Sequence, residues 1–171
     1  MDFYQPPLLL MPDIPIPNHY GAYLQKRKHS VHTGVDLYTA KGTPVYAIEA
    51  GEVVIKKIFT GPNDGTPWWN ETWAVYVKGF TGVMCYGEII PVQGIEEGEK
   101  MYMGQLLGHV TPVIRHDKGK AMSMLHFALH SRAYASLPEG ERDMPIDPTL
   151  LLMQMKFKAD IMGLSKNKGS H

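Results

Sequence analysis

The sequence predicts an all-β fold, an antiparallel β barrel-sandwich hybrid with a short C-terminal helix, and three observations predict it. Between Gly34 and Leu129 the apolar residues fall in short β-rich runs, turn formers such as Asn63-Asp64-Gly65 separate those runs, and one strand-turn-strand unit occurs twice. Short apolar runs bounded by Gly, Pro and Asn-Asp-Gly are the signature of antiparallel strands joined by tight turns.

In chain order, residues 1–24 read as a proline-rich strap. Pro6, Pro7, Pro12, Pro15 and Pro17 fix φ and remove backbone donors, so an extended segment is expected, with Ile14 and Ile16 packing on the domain. Residues 25–153 form the domain itself, with strands expected at 45–48, 52–59, 73–77, 83–89, 106–110 and 125–129. Segment 41–54 echoes segment 97–110: each reads as a turn, a short strand, a glycine and a second strand. This argues for a duplicated hairpin unit in a small barrel-like sandwich. Residues 154–171 read as a short amphipathic helix starting near Lys156 and fraying into a tail that carries Lys166, Lys168 and Gly169.

Composition narrows the chemistry. The 171 residues are 44% hydrophobic, enough for a real core, and 17 basic residues balance 17 acidic ones. With no net charge, neither nucleic acid nor an anionic membrane is an expected partner. Leu8 to Met11 is an apolar run bracketed by prolines, too short for a secretory signal, so the chain as written reads as cytoplasmic. An exported protein after processing, or one released by lysis, presents the same sequence. Cys85 is the lone cysteine, so an internal disulfide and a zinc ribbon are excluded, and any metal must sit on His and carboxylates.

Two short motifs carry donors of that kind. His32-Thr-Gly-Val-Asp36 sets an imidazole and a carboxylate four residues apart around Gly34. Either Gly34 lets the backbone bend so that both converge on one cation, or the pair caps a turn. In Met124-Leu-His126-Phe-Ala-Leu-His130, strand alternation puts Met124, His126, Ala128 and His130 on one face and Leu125, Phe127 and Leu129 in the core. His130 then lies about 13 Å along the strand from His126, at ~3.3 Å per residue, too far to share its ion.

Read together, His32-Thr-Gly-Val-Asp36-Leu, Gly42-Thr-Pro-Val-Tyr-Ala, Ala50-Gly-Glu-Val-Val, Gly104-Gln-Leu-Leu-Gly108, Leu125-His126-Phe127 and Ile146-Asp-Pro-Thr-Leu-Leu resemble the lysostaphin/LytM-type zinc metallopeptidases. The resemblance runs in order from about residue 30 to about residue 152. It implies an antiparallel groove built on a duplicated hybrid motif, Zn2+ held by His32, Asp36 and His126, and a peptide or peptidoglycan-like ligand, since family members cut cross-links of bacterial cell walls.

The chain departs from that family at the acid/base residues. The family's His-x-His pattern finds Met124 before the metal histidine, and its Tyr-x-His-Leu strand is matched by Tyr86-Gly-Glu88-Ile. A thioether transfers no proton, whereas Glu88 could serve as the catalytic base, close the site as a fourth ligand, or stand as an ordinary strand residue. If Tyr86 and Glu88 share a face, Tyr86 contacts substrate. Trp68 and Trp69 lie in a long loop and either stack on substrate or fill the end of the sandwich, which is the preferred role of Trp73. Arg115, His116, Lys118 and Lys120 form a charged loop, either solvated or anion-binding, with His116 as a reserve catalytic group. Two functions follow: a zinc metallohydrolase with altered acid/base residues, or a catalytically silent zinc-containing binding or signalling module on the same fold.

Overall fold

The runs rich in Val, Ile, Tyr and Phe do form strands, and the turn formers between them end each one. The computed structural model describes residues 4–64, 66–116, 119 and 122–163. Its elements are β1 (Val35–Tyr38), β2 (Pro44–Tyr46), β3 (Gly51–Thr60), β4 (Thr72–Gly79), β5 (Val83–Pro91), β6 (Lys100–Met101), β7 (Leu106–Val110), β8 (Met124–His130), two 3-10 turns (Tyr134–Ser136 and Glu139–Glu141) and α1 (Thr149–Ile161). They make one sheet of order β1-β8-β5-β4-β3-β6, with β7 pairing both β5 and β2, and every pairing is antiparallel. The fold is the expected antiparallel β class with one C-terminal helix.

The two echoing segments pair with each other. The first strand of the earlier unit, β2, pairs with the second strand of the later unit, β7, and β6 pairs with β3 in the same way. The turns repeat the reciprocity: Gly42 donates to Val110 O and Gly98 to Val53 O, both at 2.8 Å. Both glycines hold positive φ, 84° and 92°, a region that costs a Cβ-bearing residue.

Side chains divide between the two faces by strand alternation. Leu125, Phe127 and Leu129 of β8 enter the main core with Val35, Leu37, Val75, Val77 and Tyr86, while Ala128, Ala74, Tyr76, Val83, Cys85 and Tyr134 form a smaller cluster on the opposite face.

Three expectations need correction. In the strap, Ile14 packs as expected, but Ile16 is 59% exposed, and Leu8 and Met11 take the core positions. β1 was not among the expected strands; its four residues are stabilised by pairing with β8. The helix begins at Thr149, not near Lys156, because Asp147 Oδ1 accepts from the Thr149 amide at 2.9 Å and satisfies a free helix-end donor. Nor is α1 simply amphipathic: Leu152, Met155 and Ala159 are buried, while Leu150, Phe157 and Ile161 are exposed. The expected tail of Lys166, Lys168 and Gly169 lies outside the described residues.

Candidate metal centre

The pairing of β1 with β8 sets Asp36 directly across from His126, so their side chains rise from the same face. His32 comes from the segment before β1, where its amide donates to Gln25 O at 3.0 Å and its carbonyl accepts from Leu24 at 2.9 Å. Gly34 serves this geometry by absence of a side chain: a Cβ there would lie 2.5 Å from the Phe127 carbonyl and 2.8 Å from the His126 ring. The backbone bends at Gly34, as the sequence allowed, and the missing side chain adds the close approach.

The result is a buried triangle. His32 Nε2 lies 3.1 Å from Asp36 Oδ1 and 3.1 Å from His126 Nδ1, and His126 Nδ1 lies 3.0 Å from the same Oδ1. The other atom of each of two ligands is committed elsewhere. His32 Nδ1 is 2.9 Å from Ala22 O and donates to it, and Arg27 Nη2 donates to Asp36 Oδ2 at 3.1 Å. With its proton on Nδ1, neutral His32 turns a lone pair toward a carboxylate oxygen that only accepts. Such a cluster needs protons or a cation at its centre. Burial alone would raise the Asp36 carboxyl, yet the two imidazoles against it, when protonated, outweigh burial and hold the group well below the usual carboxylate range.

The donor set fits zinc. Two imidazole nitrogens and one carboxylate oxygen are suitable ligands, and a tetrahedral ion with bonds near 2.0–2.1 Å needs donors about 3.3 Å apart, close to the spacing here. The Ala22 carbonyl and the Arg27 guanidinium are partners of the kind that orient ligands from outside the coordination sphere. Two imidazoles and a carboxylate also accept other divalent ions.

Glu88 is outside the triangle. Tyr86 pairs with Val75 and Ile89 with Trp73, so β5 carries an extra residue, and Glu88 takes φ 62° at this bulge. Its Oε2 accepts from Thr72 Oγ1 at 2.7 Å and from Thr60 Oγ1 at 3.1 Å. Burial pushes its carboxyl above the ordinary value, against the opposing hydrogen bond of Thr72 and the charge of His126. Glu88 is therefore buried, not an ordinary exposed strand residue, and it is not one of the three converging ligands. The bulge also breaks the expected shared face. Tyr86 is 0% exposed in the main core and its hydroxyl accepts from the Ile48 amide at 2.9 Å, so it offers no surface to a substrate.

Met124 opens β8 opposite Tyr38. Trp68 is 47% exposed and Trp69 half-buried, on a loop joined to residues 113–115 by the Asn70 to Val113 and Arg115 to Trp68 backbone bonds. Trp73 is half-buried beneath Lys56, whose Nζ lies 5.5 Å from its ring. Arg115 and His116 are exposed, and Lys118 and Lys120 lie outside the described residues. Three polar partners were not foreseen: Arg27, Thr60 and Thr72. Their sequence neighbourhoods read as a basic run and as strand ends, and only the folded register brings them to the site.

An antiparallel sheet bearing a preformed buried His-Asp-His cluster defines the class of scaffold. The profile of peptidase family M23 matches residues 30–138, and the chain belongs to that family. Among solved structures, the catalytic domain of the antimicrobial peptidase lysostaphin from Staphylococcus simulans is similar at 20% identity and TM-score 0.52, over 78% of this chain and 88% of that one. CbpA from L. salivarius REN is similar at 14% identity and TM-score 0.54, over 92% and 99%. Full-length lysostaphin from Staphylococcus simulans is similar at 18% identity and TM-score 0.53, over 98% of this chain and 58% of that one. The chain spans about half the length of the first structural relatives it matches, 51% and 42%. No curated protein sequence matches it.

Proposed function

We propose that the chain is a zinc-dependent peptide hydrolase of the cell-wall endopeptidase kind, with His32, Asp36 and His126 as ligands and Glu88 as proton acceptor. The observation that carries this reading is the triangle of three buried donor atoms 3.0–3.1 Å apart, with the outer atoms of His32 and Asp36 already bonded. Zinc held by three protein ligands polarises a carbonyl and lowers the pKa of the water it holds to about 7.

The chain's own residues supply the rest. Glu88 directs Oε2 to two threonine hydroxyls, which fixes the carboxyl, and burial raises its pKa above the ordinary carboxylate value, which makes it a stronger proton acceptor. Trp68 offers an exposed indole for a peptide or glycan stem, and Trp69 braces the same loop. One feature favours the second reading, a silent binding module: Met124 stands where the resembled family carries a histidine, and a thioether cannot replace that proton donor.

The test is metal content by mass spectrometry together with hydrolysis of peptide cross-links in purified cell-wall fragments, for wild type, His126→Ala and Glu88→Gln. The hydrolase reading expects near-stoichiometric zinc in wild type and Glu88→Gln, none in His126→Ala, and turnover in wild type alone. Zinc with no turnover assigns the binding module, and absence of zinc under zinc-replete conditions overturns both.

A further inference from the structure

Beside the triangle lies a cavity of about 290 Å³, which His126 lines at one end. Its floor is the face of β4, β5 and β8 that carries Tyr76, Cys85 and His130, and its far wall is the segment after β8. Tyr134 of that segment stacks on His130 with ring centroids 3.9 Å apart, and lies parallel to Tyr76 at 5.8 Å. These rings cover this part of the sheet face beside His126.

Two groups in the cavity have unused hydrogen-bonding capacity. His130 is 6% exposed, and its Nδ1 is buried with no hydrogen-bond partner, a situation rare enough in native proteins to need a cause. Arg142 lies with its guanidinium 5.1 Å from the Tyr134 ring centroid, and its Nε donates to Leu137 O at 3.4 Å. Among the described residues no carboxylate comes within ion-pair distance of it.

The two acidic groups at the rim have their own partners: Asp143 accepts from Ser131 Oγ at 2.9 Å, and Glu139 faces Lys57, itself a lining residue, at 3.9 Å in a solvent-exposed pair. A guanidinium beside an aromatic ring, with no carboxylate in ion-pair distance among the described residues, is a fork suited to a carboxylate.

We propose that this cavity is a carboxylate-binding subsite that receives the C-terminal end of a peptide, with Arg142 as anchor and the ring of His130 in its floor. Its volume lies at the lower edge of ordinary ligand pockets, about 300–1,000 Å³, which suits a short chain end better than an extended run. The inference rests on the peptide-hydrolase reading for its substrate class and makes the preferred substrate one that terminates just beyond the bond at the triangle.

The experiment is calorimetric titration of the full chain, with and without zinc, using acetyl-Ala-Ala with a free carboxylate and the same peptide as its C-terminal amide. Wild type, Arg142→Gln, Arg142→Lys and His126→Ala are compared after thermal melts confirm that each is folded. Expected is about 10-fold tighter binding of the acid than of the amide in wild type, equivalent to about 1.4 kcal/mol. That preference should vanish in Arg142→Gln, survive in part in Arg142→Lys and persist in His126→Ala. Equal binding of acid and amide, no saturable binding of the acid, or a preference that survives Arg142→Gln overturns the subsite. Failure of wild type to bind zinc, with its acid preference intact, overturns the hydrolase reading and leaves the subsite standing.

Discussion

Arg27 sits in the basic run Lys26-Arg27-Lys28, and its guanidinium grips the outer oxygen of Asp36 at 3.1 Å and lies 4.5 Å from the Tyr20 ring centroid. Partners of this kind fix ligand orientation, so Arg27→Gln is expected to weaken zinc binding about 10–100-fold, read by competition with a chromophoric chelator. Unchanged affinity would confine Arg27 to packing on Tyr20. His130 gives a second test at this scale. Burial, with the charge of His126 and of Arg142 adding to it, pushes its imidazole down to about 4 from an ordinary 6.5. Between those values the unfolded chain binds a proton that the folded chain refuses, so stability is full above pH 6.5 and falls as pH drops toward about 4. In His130→Phe, which keeps the ring stack, melts recorded from pH 7 to pH 4 should show a flatter decline; an identical slope would mean that other groups carry it.

At the scale of elements, the β5 bulge concentrates strain and burial on one residue. A non-glycine residue at positive φ costs about 1–3 kcal/mol, and Glu88 adds a desolvated carboxylate. Because its folded pKa is raised, the stability linked to this group is present at low pH and is lost as pH rises through the folded value. Glu88→Gln keeps the threonine contacts and removes the charge, so its Tm at pH 8 should equal or exceed that of wild type while turnover is lost. A Tm well below wild type would mean that Glu88 is retained for packing. The bulge is invisible in the sequence, because Val83 to Ile89 reads as an unbroken strand and the extra residue is defined only against its partners on β4. β1 was missed for a related reason: four residues are too short a run to be distinctive until β8 lies beside them.

Over the whole molecule, the strap and α1 join the two ends of the chain to one core through Leu8, Met11, Leu152 and Met155. Leu152→Ala, which empties a fully buried position, should cost about 2–5 kcal/mol in denaturant unfolding. A loss under 1 kcal/mol would show that the helix is peripheral to the cooperative unit. Metal binding couples to the same equilibrium. Zinc at 100 times its Kd should stabilise wild type by about 2.7 kcal/mol and leave His126→Ala unmoved. The sequence by itself determined the antiparallel class and the duplicated unit, because strand periodicity and turn chemistry are local properties that survive without coordinates, and the resemblance of its ordered motifs to a known family pointed to the three donors that converge. Only the tertiary structure decided that β2 pairs with β7 and β6 with β3, that Tyr86 is buried while Glu88 turns toward Thr60 and Thr72, and that Arg27 reaches Asp36. Those facts depend on register between strands distant in sequence, and a shift of one residue reverses the face that a side chain occupies.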